Sequence, residues 1–415
     1  MRIRGLDTIR LGEYPNILWV EIATDDGLVG LGETFLGTRA VASYLHETAA
    51  PQLLGQDPTR IEHWARQLGG YLGNEGPGAE TRGNSAVDIA LWDLLGQATG
   101  EPLHVLLGGL TRESIRTYNT CAGPRYIRER PEQSVDNWGL SDGAPERYDD
   151  LSAFLTRAGE LAEDLLEQGF TGMKIWPFDP FAEARLGVDI SPSELERALE
   201  PVRRIRDAVG QRMDVMLEFH SLWNAPTAKR IARAAEAYEP FWLEDPVKMS
   251  NTAALADVTA STRTPVAGGE TLTGLRRFRE LLAQRALDVV IVDISWTGGL
   301  TEARKIAALA GSHEVPIAPH DCTGPVVLAA STHLSVSAPN AIVQEVTRAS
   351  YNTWYPELVT DLPPLDAGQI RSLTGPGLGT RLLPGLRERV DAEVVSSRLD
   401  GDRVATTVRN GREAA

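Results

Sequence analysis

The chain has 415 residues, of which 42% are hydrophobic and 24% are charged, and its formal net charge at pH 7 is −16. This composition is typical of a globular protein with an ample core, and the negative charge disfavours binding to nucleic acid or to anionic membrane surfaces. The two cysteines, Cys121 and Cys322, are too few for a disulfide framework and give little support to a metal–thiolate site.

No stretch of the sequence approaches the roughly 18 consecutive apolar residues of a membrane span. The first residues, MRIRGLDTIR, also lack the apolar stretch of a signal peptide. We therefore expect a cytoplasmic protein without a membrane partner. An anionic small molecule would need local cations, such as a bound metal ion, to overcome the long-range repulsion.

Residues 1–114 are predicted to form an α+β domain. NILWVEIATDD has the character of a strand, and GLVGLGET that of a glycine-rich turn followed by a second strand, after which the chain becomes helical near Ala40. The segment NSAVDIALWDLLGQATG is a predicted helix, because its apolar residues recur every three or four positions and Gly100 and Pro102 mark its end.

From Ser114 onward, short apolar strands alternate with helices. This is the pattern of a (β/α)8 barrel, in which each unit takes roughly 30 residues. The eight predicted strands end near residues 118–120, Lys174, Glu218, Glu244, Gly268, Asp293, Ala318 and Glu345. We assign the barrel to residues 115–355.

Three segments fall outside the regular barrel pattern. Residues 124–150 are rich in Arg, Asp, Pro and Gly and leave the first strand at its carboxyl end, where a lid or a substrate-contacting loop is expected. Residues 176–192 lengthen the second unit of the barrel. Residues 400–415 are polar and are expected to form a flexible tail.

Polar residues stand at the ends of the later strands at nearly even steps of 26, 26, 23, 27 and 25 residues. They are Glu218, Glu244, Glu270, Asp293, His320 and Glu345. Catalytic groups of a barrel enzyme come from the carboxyl ends of successive strands, so this even spacing predicts a ring of side chains around one pocket.

The three glutamates of this ring, Glu218, Glu244 and Glu270, are hard oxygen donors on neighbouring strands. Such a set suits Mg²⁺, which prefers octahedral oxygen coordination and keeps positions for water or substrate. The sequence therefore predicts Mg²⁺ as the cofactor.

Asp293 and His320 end adjacent strands and form a predicted general base, because a carboxylate that binds an imidazole fixes its tautomer and raises its basicity. Glu345 could hydrogen-bond an oxygen on which negative charge develops, if it is protonated or acts through a water. His220 is expected on the same side as Glu218, since side chains two apart on a strand share a face.

The motifs and their order resemble the mandelate racemase subgroup of the enolase superfamily over nearly the whole chain. The motifs that carry this resemblance are TDDGLVGLGET, SAVDIALWDLLGQATGEPLHVLLGG, GFTGMKIW, WLEDP, GGET, VDISWTGGLTEARKIAALA and PIAPH. The resemblance implies a modified TIM barrel, (β/α)7β, under an α+β capping domain built from residues 1–114 and the C-terminal residues 356–399. Cap loops near residues 10–16 and 53–57 would close over the site.

The resemblance also implies that the three glutamates hold Mg²⁺, that a carboxylate of the substrate chelates this metal, and that the protein is a symmetric homo-oligomer. One departure bears on the reaction. Many members carry Lys-x-Lys at the end of the second barrel strand, with the second lysine acting as a base, whereas this chain has Lys174 and Trp176. Racemisation by two opposed bases is therefore disfavoured, and Lys174 remains as an electrostatic aid or as a base in a different register.

His220 stands two residues after the first metal ligand, where some sugar-acid dehydratases of the superfamily place a histidine as general acid. The resemblance thus favours a dehydratase acting on an aldonate or aldarate. His320 would abstract the α-proton and His220 would protonate the departing β-hydroxyl, which gives a 2-keto-3-deoxy acid. The alternative role for His220 is to support Glu218 from behind.

Side chains near the predicted site could bind the far end of such a small-molecule carboxylate. The candidates are Tyr14, Trp19, Arg82, Asn119, Arg125, Tyr126, Arg128, Arg130, Trp176 and Arg348. The arginines suit a distal carboxylate or hydroxyl groups. Trp19 could equally belong to the core.

Other reactions share the same proton abstraction. A cycloisomerase or epimerase acting on a sugar-acid lactone or anhydrosugar acid would differ only in later steps. A metal-dependent hydrolase is disfavoured, because none of the seven histidines forms the His-x-His motif of that class. The non-enzymatic alternative is a catalytically silent enolase-like binding scaffold, against which the intact acidic and histidine residues argue.

Overall fold

The computed structural model describes residues 1–70, 76–130, 132–140, 146–401 and 403–411. Parts of the predicted insertion and tail, residues 131, 141–145, 402 and 412–415, lie outside these ranges. The described chain forms one antiparallel sheet of five strands and one curled, largely parallel sheet. None of its helices is both long and apolar enough to cross a bilayer.

The strands are β1 (Ile3–Leu11), β2 (Tyr14–Thr24), β3 (Val29–Phe35), β4 (Ile115–Thr120), β5 (Gly172–Ile175), β6 (Asp214–Glu218), β7 (Trp242–Glu244), β8 (Val266–Gly268), β9 (Val289–Val292), β10 (Ile317–Pro319), β11 (Gln344–Val346), β12 (Leu365–Asp366), β13 (Gln369–Ile370), β14 (Ala392–Asp400) and β15 (Arg403–Asn410). The helices are α1 (Thr38–Tyr44), α2 (Ala50–Leu53), α3 (Ile61–Leu68), α4 (Ala79–Thr99), α5 (Leu103–Leu106), α6 (Asp150–Thr156), α7 (Ala158–Glu167), α8 (Asp179–Arg185), α9 (Pro192–Val209), α10 (Ala225–Ala235), α11 (Thr252–Thr259), α12 (Gly274–Ala283), α13 (Ile294–Thr297), α14 (Gly299–Ser312), α15 (Pro325–Ser337) and α16 (Arg348–Asn352).

The antiparallel sheet is the capping domain, and both ends of the chain build it. Its strand order is β15-β14-β1-β2-β3, so the C-terminal strand β14 pairs with the N-terminal strand β1. Helix α4 covers β3 so closely that a Cβ added to Gly32 would collide with the carbonyl oxygen of Ala86. The glycines of GLVGLGET therefore serve helix–sheet packing as well as the turn.

The C-terminal residues depart from prediction. Arg403–Asn410 form β15, which pairs with β14 along its whole length, so the expectation of a flexible tail is wrong for this stretch. Its β-branched residues favour a strand, and pairing satisfies backbone groups that a frayed tail would leave to water. Upstream, β12 pairs with β13, and β13 pairs with the barrel strand β4, while β14 joins the cap.

The parallel strands β4 to β11 form the barrel. Neighbours in the sheet follow the order of the chain, and β11 returns to pair with β4. The backbone N–H of Ile317 donates to the carbonyl oxygen of Asn340, and the N–H of Ile342 donates to that of Ile317. These bonds join the segment before β11 to β10 and complete the ring. Each predicted strand end lies within one residue of an observed one. After β11 the described chain has α16 and a single 3-10 turn, Tyr355–Glu357, and no long helix before it leaves the barrel, which confirms the (β/α)7β fold.

The insertion after β4 connects the barrel, the cap and the second barrel unit. Asn16 of β2 donates through Nδ2 to the carbonyl oxygens of Ile127 and Arg130, at 2.7 and 2.9 Å. The backbone N–H of Val135 donates to Oε1 of Glu183 on α8, at 2.7 Å. These contacts place the insertion at the catalytic face, and its role as a lid stays a prediction.

Buried carboxylates dock the cap onto the barrel. Glu33 Oε1 of β3 accepts the backbone N–H of Val327 in the first turn of α15, and Asp88 Oδ2 of α4 accepts that of Thr301 in the first turn of α14, each at 2.9 Å. The first N–H groups of a helix lack partners within the helix and carry partial positive charge, so carboxylates suit these positions. Glu33 of the motif TDDGLVGLGET and Asp88 of the motif SAVDIALWDLLGQATGEPLHVLLGG thus hold the cap over the barrel mouth.

Asp88→Asn is expected to remove part of the pH dependence of folding stability. Burial raises the pKa of Asp88 to about 7, although hydrogen bonds from Thr301 oppose this rise. The unfolded chain releases this proton near its ordinary pKa of 3.8, so the free energy of unfolding falls as the pH rises between the two values. At about 1.4 kcal/mol per pKa unit, the loss reaches roughly 4 kcal/mol. The amide of the variant does not titrate and escapes this loss.

Urea unfolding of wild type and Asp88→Asn at about pH 5 and about pH 8 measures this effect, and the difference between the two proteins isolates Asp88 from other titrating groups. Asp207→Asn, which changes an exposed aspartate of α9, is the control. The same pH dependence in Asp88→Asn and wild type would contradict the assigned pKa.

Candidate active site

Three glutamates meet at the mouth of the barrel. Glu218 and Glu244 end β6 and β7, and Glu270 follows β8 by two residues. One oxygen of each lies within 4.8 Å of the others, and all three side chains are buried. Gly269 adopts a φ of +114°, a conformation that favours glycine, so the motif GGE supplies the turn that precedes Glu270.

This cluster fits a divalent cation. Burial raises the pKa of Glu244 and Glu270, although the charges of Lys174 and His320 oppose this rise. Neighbouring carboxylates raise both pKa values further, and a bound cation would compensate this negative charge. Glu218 Oε1 accepts the backbone N–H of His220 at 2.6 Å, whereas its buried Oε2 has no hydrogen-bond partner among the described residues. Trp242 Nε1 donates to Glu244 Oε2 at 2.7 Å. Three hard oxygen donors, one of them unpartnered, suit Mg²⁺.

Lys174 lies among these carboxylates near the end of β5. Its Nζ is 2.8 Å from Glu244 Oε1, 2.9 Å from Glu345 Oε1 and 3.8 Å from Glu218 Oε2. Burial would lower the pKa of Lys174, but Glu244 and Glu345 outweigh it and raise the pKa above its ordinary value. A fixed positive charge in this place favours the electrostatic role of Lys174 over the role of a base.

Asp293 and His320 come together across adjacent strands, as the sequence predicts. His320 Nδ1 lies 2.6 Å from Asp293 Oδ2, and the N–H and the hydroxyl of Ser295 donate to Asp293 Oδ1, each at 2.7 Å. Nε2 of His320 lies 3.3 Å from Glu270 Oε2. Burial would lower the pKa of His320, but the charges of Glu270 and Glu345 and the Asp293 hydrogen bond raise it well above its ordinary value.

Glu345 is held as a hydrogen-bond acceptor. Burial would raise the pKa of Glu345, but Lys174 and His320 outweigh it and lower the pKa to about 2. The backbone N–H of Asp321 donates to Oε2 at 2.7 Å, and the hydroxyl of Thr120 donates to Oε1. The lowered pKa disfavours a protonated Glu345, and its action on a developing oxyanion through a water stays a prediction. Glu345 also contacts Lys174 and Thr120.

His220 lies at the site, but its backbone conformation is not the predicted extended one. Strand β6 ends at Glu218, and His220 has a φ of +49°, so it stands in a left-handed turn and the expected strand face is wrong here. His220 Nδ1 lies 2.7 Å from Oδ2 of Asp179, the first residue of α8. Burial would lower the pKa of His220, but Asp179 and Glu218 outweigh it and raise the pKa to about 10.

The two histidines stand on opposite sides of one pocket. His220 follows β6, the third barrel strand, and His320 follows β10, the seventh, so four steps of an eight-stranded ring separate them. The same pocket is lined by Lys174, Glu270 and Glu345, by Phe35 of the cap, and by Tyr126 and Gln133 of the insertion. A ligand bound there would contact an imidazole on each side.

The comparisons with known proteins agree with this architecture. Residues 13–108 match the N-terminal domain of mandelate racemase and muconate lactonizing enzyme, and residues 157–385 match the enolase C-terminal domain-like family. An enolase of the mandelate racemase subgroup from Agrobacterium tumefaciens has 47% sequence identity and a TM-score of 0.85, covering 96% of this chain and 99% of that one. The chain belongs to the mandelate racemase subgroup of the enolase superfamily.

Curated relatives within the superfamily carry a specific activity in their names. A D-galactonate dehydratase of Variovorax paradoxus is 32% identical over 391 residues, which cover 92% of this chain and 92% of the relative. A D-galactonate dehydratase of Pectobacterium atrosepticum is 32% identical over 393 residues, with the same coverage.

Trp176 stands where many members of this enolase superfamily subgroup carry the second lysine of Lys-x-Lys. It is buried, and its ring centroid lies 5.2 Å from that of Tyr126, 5.3 Å from that of Phe154 and 5.9 Å from that of His220. Its Nε1 has no hydrogen-bond partner in the described part of the chain. Trp176, Tyr126 and Phe154 thus form an aromatic cluster beside His220. Trp176 cannot act as a base in the way that a lysine at this position would.

The predicted substrate contacts divide by position. Tyr126 and Trp176 line the catalytic pocket, and Tyr14 lines a neighbouring cavity that shares Phe35 and Tyr126 with it. Arg128 stacks over the ring of Tyr14, with its guanidinium carbon 4.2 Å from the ring centroid. The other two arginines of the insertion among the predicted substrate contacts form exposed ion pairs, Arg125 with Glu146 and Arg130 with Asp136.

Other predicted substrate contacts are engaged within the protein. Trp19 Nε1 donates to Glu33 Oε2 at 2.7 Å in the cap core. Asn119 Nδ2 donates to Asp150 Oδ2 at 2.8 Å, and Arg348 makes two hydrogen bonds of 2.7 Å to the same carboxylate. Trp19 thus lies in the core of the cap, which is the other position that the sequence allows. The polar groups of Asn119 and Arg348 have partners within the protein, and their contact with substrate stays a prediction.

Arg82, also a predicted substrate contact, stacks over the ring of Trp296, with its guanidinium carbon 4.5 Å from the centroid. The sequence reasoning missed several side chains that line or support the site. They are Phe35, Thr120, Gln133, Asp179, Trp242, Ser295 and Trp296. The Asp-Pro pair at residues 179 and 180 is a typical helix start and could have located α8. It does not indicate that Asp179 binds His220.

Proposed function

We propose that this protein is a Mg²⁺-dependent hydro-lyase that dehydrates an aldonate or aldarate to a 2-keto-3-deoxy acid. The observation that carries the proposal is the pair of histidine–aspartate dyads, His320–Asp293 and His220–Asp179, on opposite sides of one pocket. Elimination needs a base for the α-proton and an acid for the leaving hydroxyl, and the dyads supply one each. The names of the D-galactonate dehydratase relatives support the same reaction class.

His320 is the base in this proposal, and it must be neutral to act. Glu270 is the charge that most raises the pKa of His320, and a cation bound by Glu270 would offset that charge. Asp293 engages Nδ1, so Nε2 is the nitrogen that takes the α-proton, and the carboxylate stabilises the imidazolium that results. Ser295 holds the second oxygen of Asp293 through its N–H and its hydroxyl. This support keeps the imidazole in one orientation while the proton moves.

The enediolate left by proton abstraction carries a second negative charge, which a buried site tolerates only beside a compensating charge. Lys174 is a cation that the chain itself places there, held by Glu244 and Glu345. When bound by Glu218, Glu244 and Glu270, Mg²⁺ supplies the divalent charge that offsets these carboxylates and stabilises the developing dianion.

His220 is the acid in this proposal. Its Nε2 donates a proton to the β-hydroxyl, the C–O bond breaks, and water leaves. The electron pair of the enediolate forms the C=C bond of an enol, which tautomerises to the 2-keto-3-deoxy acid. Trp176 and Tyr126 limit the access of bulk water to the His220 side of the pocket, since both rings line the pocket and pack against each other.

Epimerisation at the α-carbon is the second candidate, because two opposed dyads could also remove a proton from one face and return it to the other. The same positions of His220 and His320 favour it. The relatives named as dehydratases favour elimination over this reaction.

A panel of aldonates and aldarates, incubated with the Mg²⁺-loaded protein in deuterated water, tests the proposal. We expect one or a few acids to yield a 2-keto-3-deoxy acid with deuterium at C3, detected by NMR, and a chelator to stop the reaction. Deuterium at an α-carbon of inverted configuration, with the β-hydroxyl intact, would indicate epimerisation. Ring opening of a lactone or anhydrosugar acid without release of water would indicate cycloisomerisation.

The proposal would be refuted if no acid reacts or exchanges its α-proton and chelation changes nothing. The homo-oligomeric state and the cytoplasmic location expected from the sequence stay predictions.

A further inference from the structure

We infer that Asp179 is a positioning residue that fixes the tautomer and the orientation of His220 for protonation of the leaving group. This inference rests on the proposed function, because it takes His220 as the acid. Asp179 belongs to residues 176–192, the segment that lengthens the second barrel unit. This segment therefore contributes to the site, because its Asp179 binds His220 of the third barrel unit.

The hydrogen bond between the two residues decides which nitrogen of His220 can act. Asp179 Oδ2 lies 2.7 Å from His220 Nδ1, and Asp179 is only 2% exposed. Because a carboxylate accepts the hydrogen bond, Nδ1 keeps its hydrogen whether the ring is charged or neutral. The proton that leaves the ring must therefore leave from Nε2, and His220 lines the catalytic pocket.

Neighbouring contacts leave this pair little freedom to move. The backbone N–H of His220 donates to Glu218 Oε1 at 2.6 Å, and the ring of Trp176 stands at 66° to the imidazole. Phe178, just before Asp179, packs against Phe219, just before His220, with 4.9 Å between ring centroids. The two residues of the dyad are thus anchored by adjacent aromatic side chains.

The opposite side of the pocket repeats the arrangement. His320 Nδ1 lies 2.6 Å from Asp293, and there too the aspartate comes from the barrel unit that precedes the histidine. The same construction on both sides indicates the same task, which is to hold Nδ1 so that Nε2 serves the ligand. A carboxylate that merely stabilised α8 would not need to face the imidazole nitrogen.

A double-variant experiment on the Mg²⁺-loaded protein tests the inference, with the sugar acid that the panel identifies as substrate. We expect Asp179→Asn to slow dehydration by about 100-fold or more through kcat, with KM little changed, while α-proton exchange stays within a factor of about three. In the His220→Asn background, Asp179→Asn should add nothing, because its effect passes through His220. Asp257→Asn, an exposed aspartate of α11 that pairs with Lys229, is the matched control and should leave both rates unchanged.

A spectroscopic readout makes the inference independent of turnover and of the folding of the variant. ¹⁵N NMR of histidine-labelled, Mg²⁺-loaded wild type should show a hydrogen on Nδ1 of His220, with the signal assigned by its loss in His220→Asn. In Asp179→Asn, the hydrogen-bonded Nδ1 signal should change.

The outcomes separate the two proposals. Additive losses in the double variant, equal loss of exchange and dehydration in Asp179→Asn, or an Nδ1 without hydrogen in wild type would each overturn the positioning role. If no sugar acid reacts while Nδ1 of His220 carries its hydrogen in wild type and its signal changes in Asp179→Asn, the proposed function fails and the positioning of His220 by Asp179 stands.

Discussion

His320→Asn is expected to abolish both α-proton exchange and dehydration, whereas His220→Asn should abolish dehydration and leave exchange measurable. General acid or base catalysis by one positioned side chain typically contributes 100-fold to 10,000-fold, so we expect a loss of about 1,000-fold in each affected reaction. His320 acts before the enediolate exists and His220 acts after it. Loss of the base therefore blocks both α-proton exchange and dehydration, and loss of the acid blocks only dehydration.

Asparagine is the suitable replacement at both positions because it is polar and smaller than histidine. In His220→Asn, the backbone N–H that donates to Glu218 is retained, so the glutamate cluster keeps this contact. Deuterium incorporation at the α-carbon and release of the keto acid are measured by NMR on the same samples. His313→Asn, which replaces an exposed histidine at the end of α14, is the control. Equal loss of the two reactions in His220→Asn and His320→Asn would contradict the division of labour.

Glu270→Gln is expected to weaken Mg²⁺ binding by more than about 100-fold and to lower both reactions with it. Replacing a residue that only supports a metal ligand costs 10-fold to 100-fold in affinity, and removing a charged ligand should cost more. Glu270 is chosen because Glu244 also holds Lys174 and Trp242, and Glu218 also accepts from His220. Glu270 lies 3.3 Å from His320 Nε2, so Mg²⁺ affinity and not activity alone must be measured.

Calorimetric titration with Mg²⁺ measures this effect without reference to turnover. Excess Mg²⁺ should restore part of the activity of Glu270→Gln if weak binding is the cause of the loss. Glu280→Gln, on α12 after the same strand β8, changes a partly exposed glutamate that pairs with Arg277 and is the matched control. An unchanged Mg²⁺ affinity in Glu270→Gln would remove this residue from the metal site.

Repeated local patterns explain how much of the fold the sequence reveals. Each barrel unit has a similar length, and the carboxyl ends of parallel strands share one face, so polar residues at even steps predict a ring around one pocket. The structure places Glu218, Glu244, Glu270, His320 and Glu345 at that mouth. The tail shows the limit, because β15 depends on pairing with β14 and its polar composition alone suggests disorder.

The sequence does not reveal which partners the polar side chains have. Trp19 and Arg348 have residue types suited to a ligand, yet Glu33 and Asp150 occupy their polar groups. His220 lies in the predicted pocket, but a left-handed turn places it there and not the alternation of a strand. In each case the residue type indicates the chemistry, and the identity of the partner determines whether that chemistry is available.

The sequence by itself determined the superfamily, the barrel and the set of polar residues at the strand ends, because these depend on local periodicity and on motifs of neighbouring residues. Only the tertiary structure decided which side chains are paired. Asp179 and His220 are 41 residues apart, Asp150 and Arg348 are 198 apart, and Glu33 and Val327 are 294 apart. Such contacts form only when the barrel closes and the cap docks. The periodic patterns of the sequence therefore do not predict them.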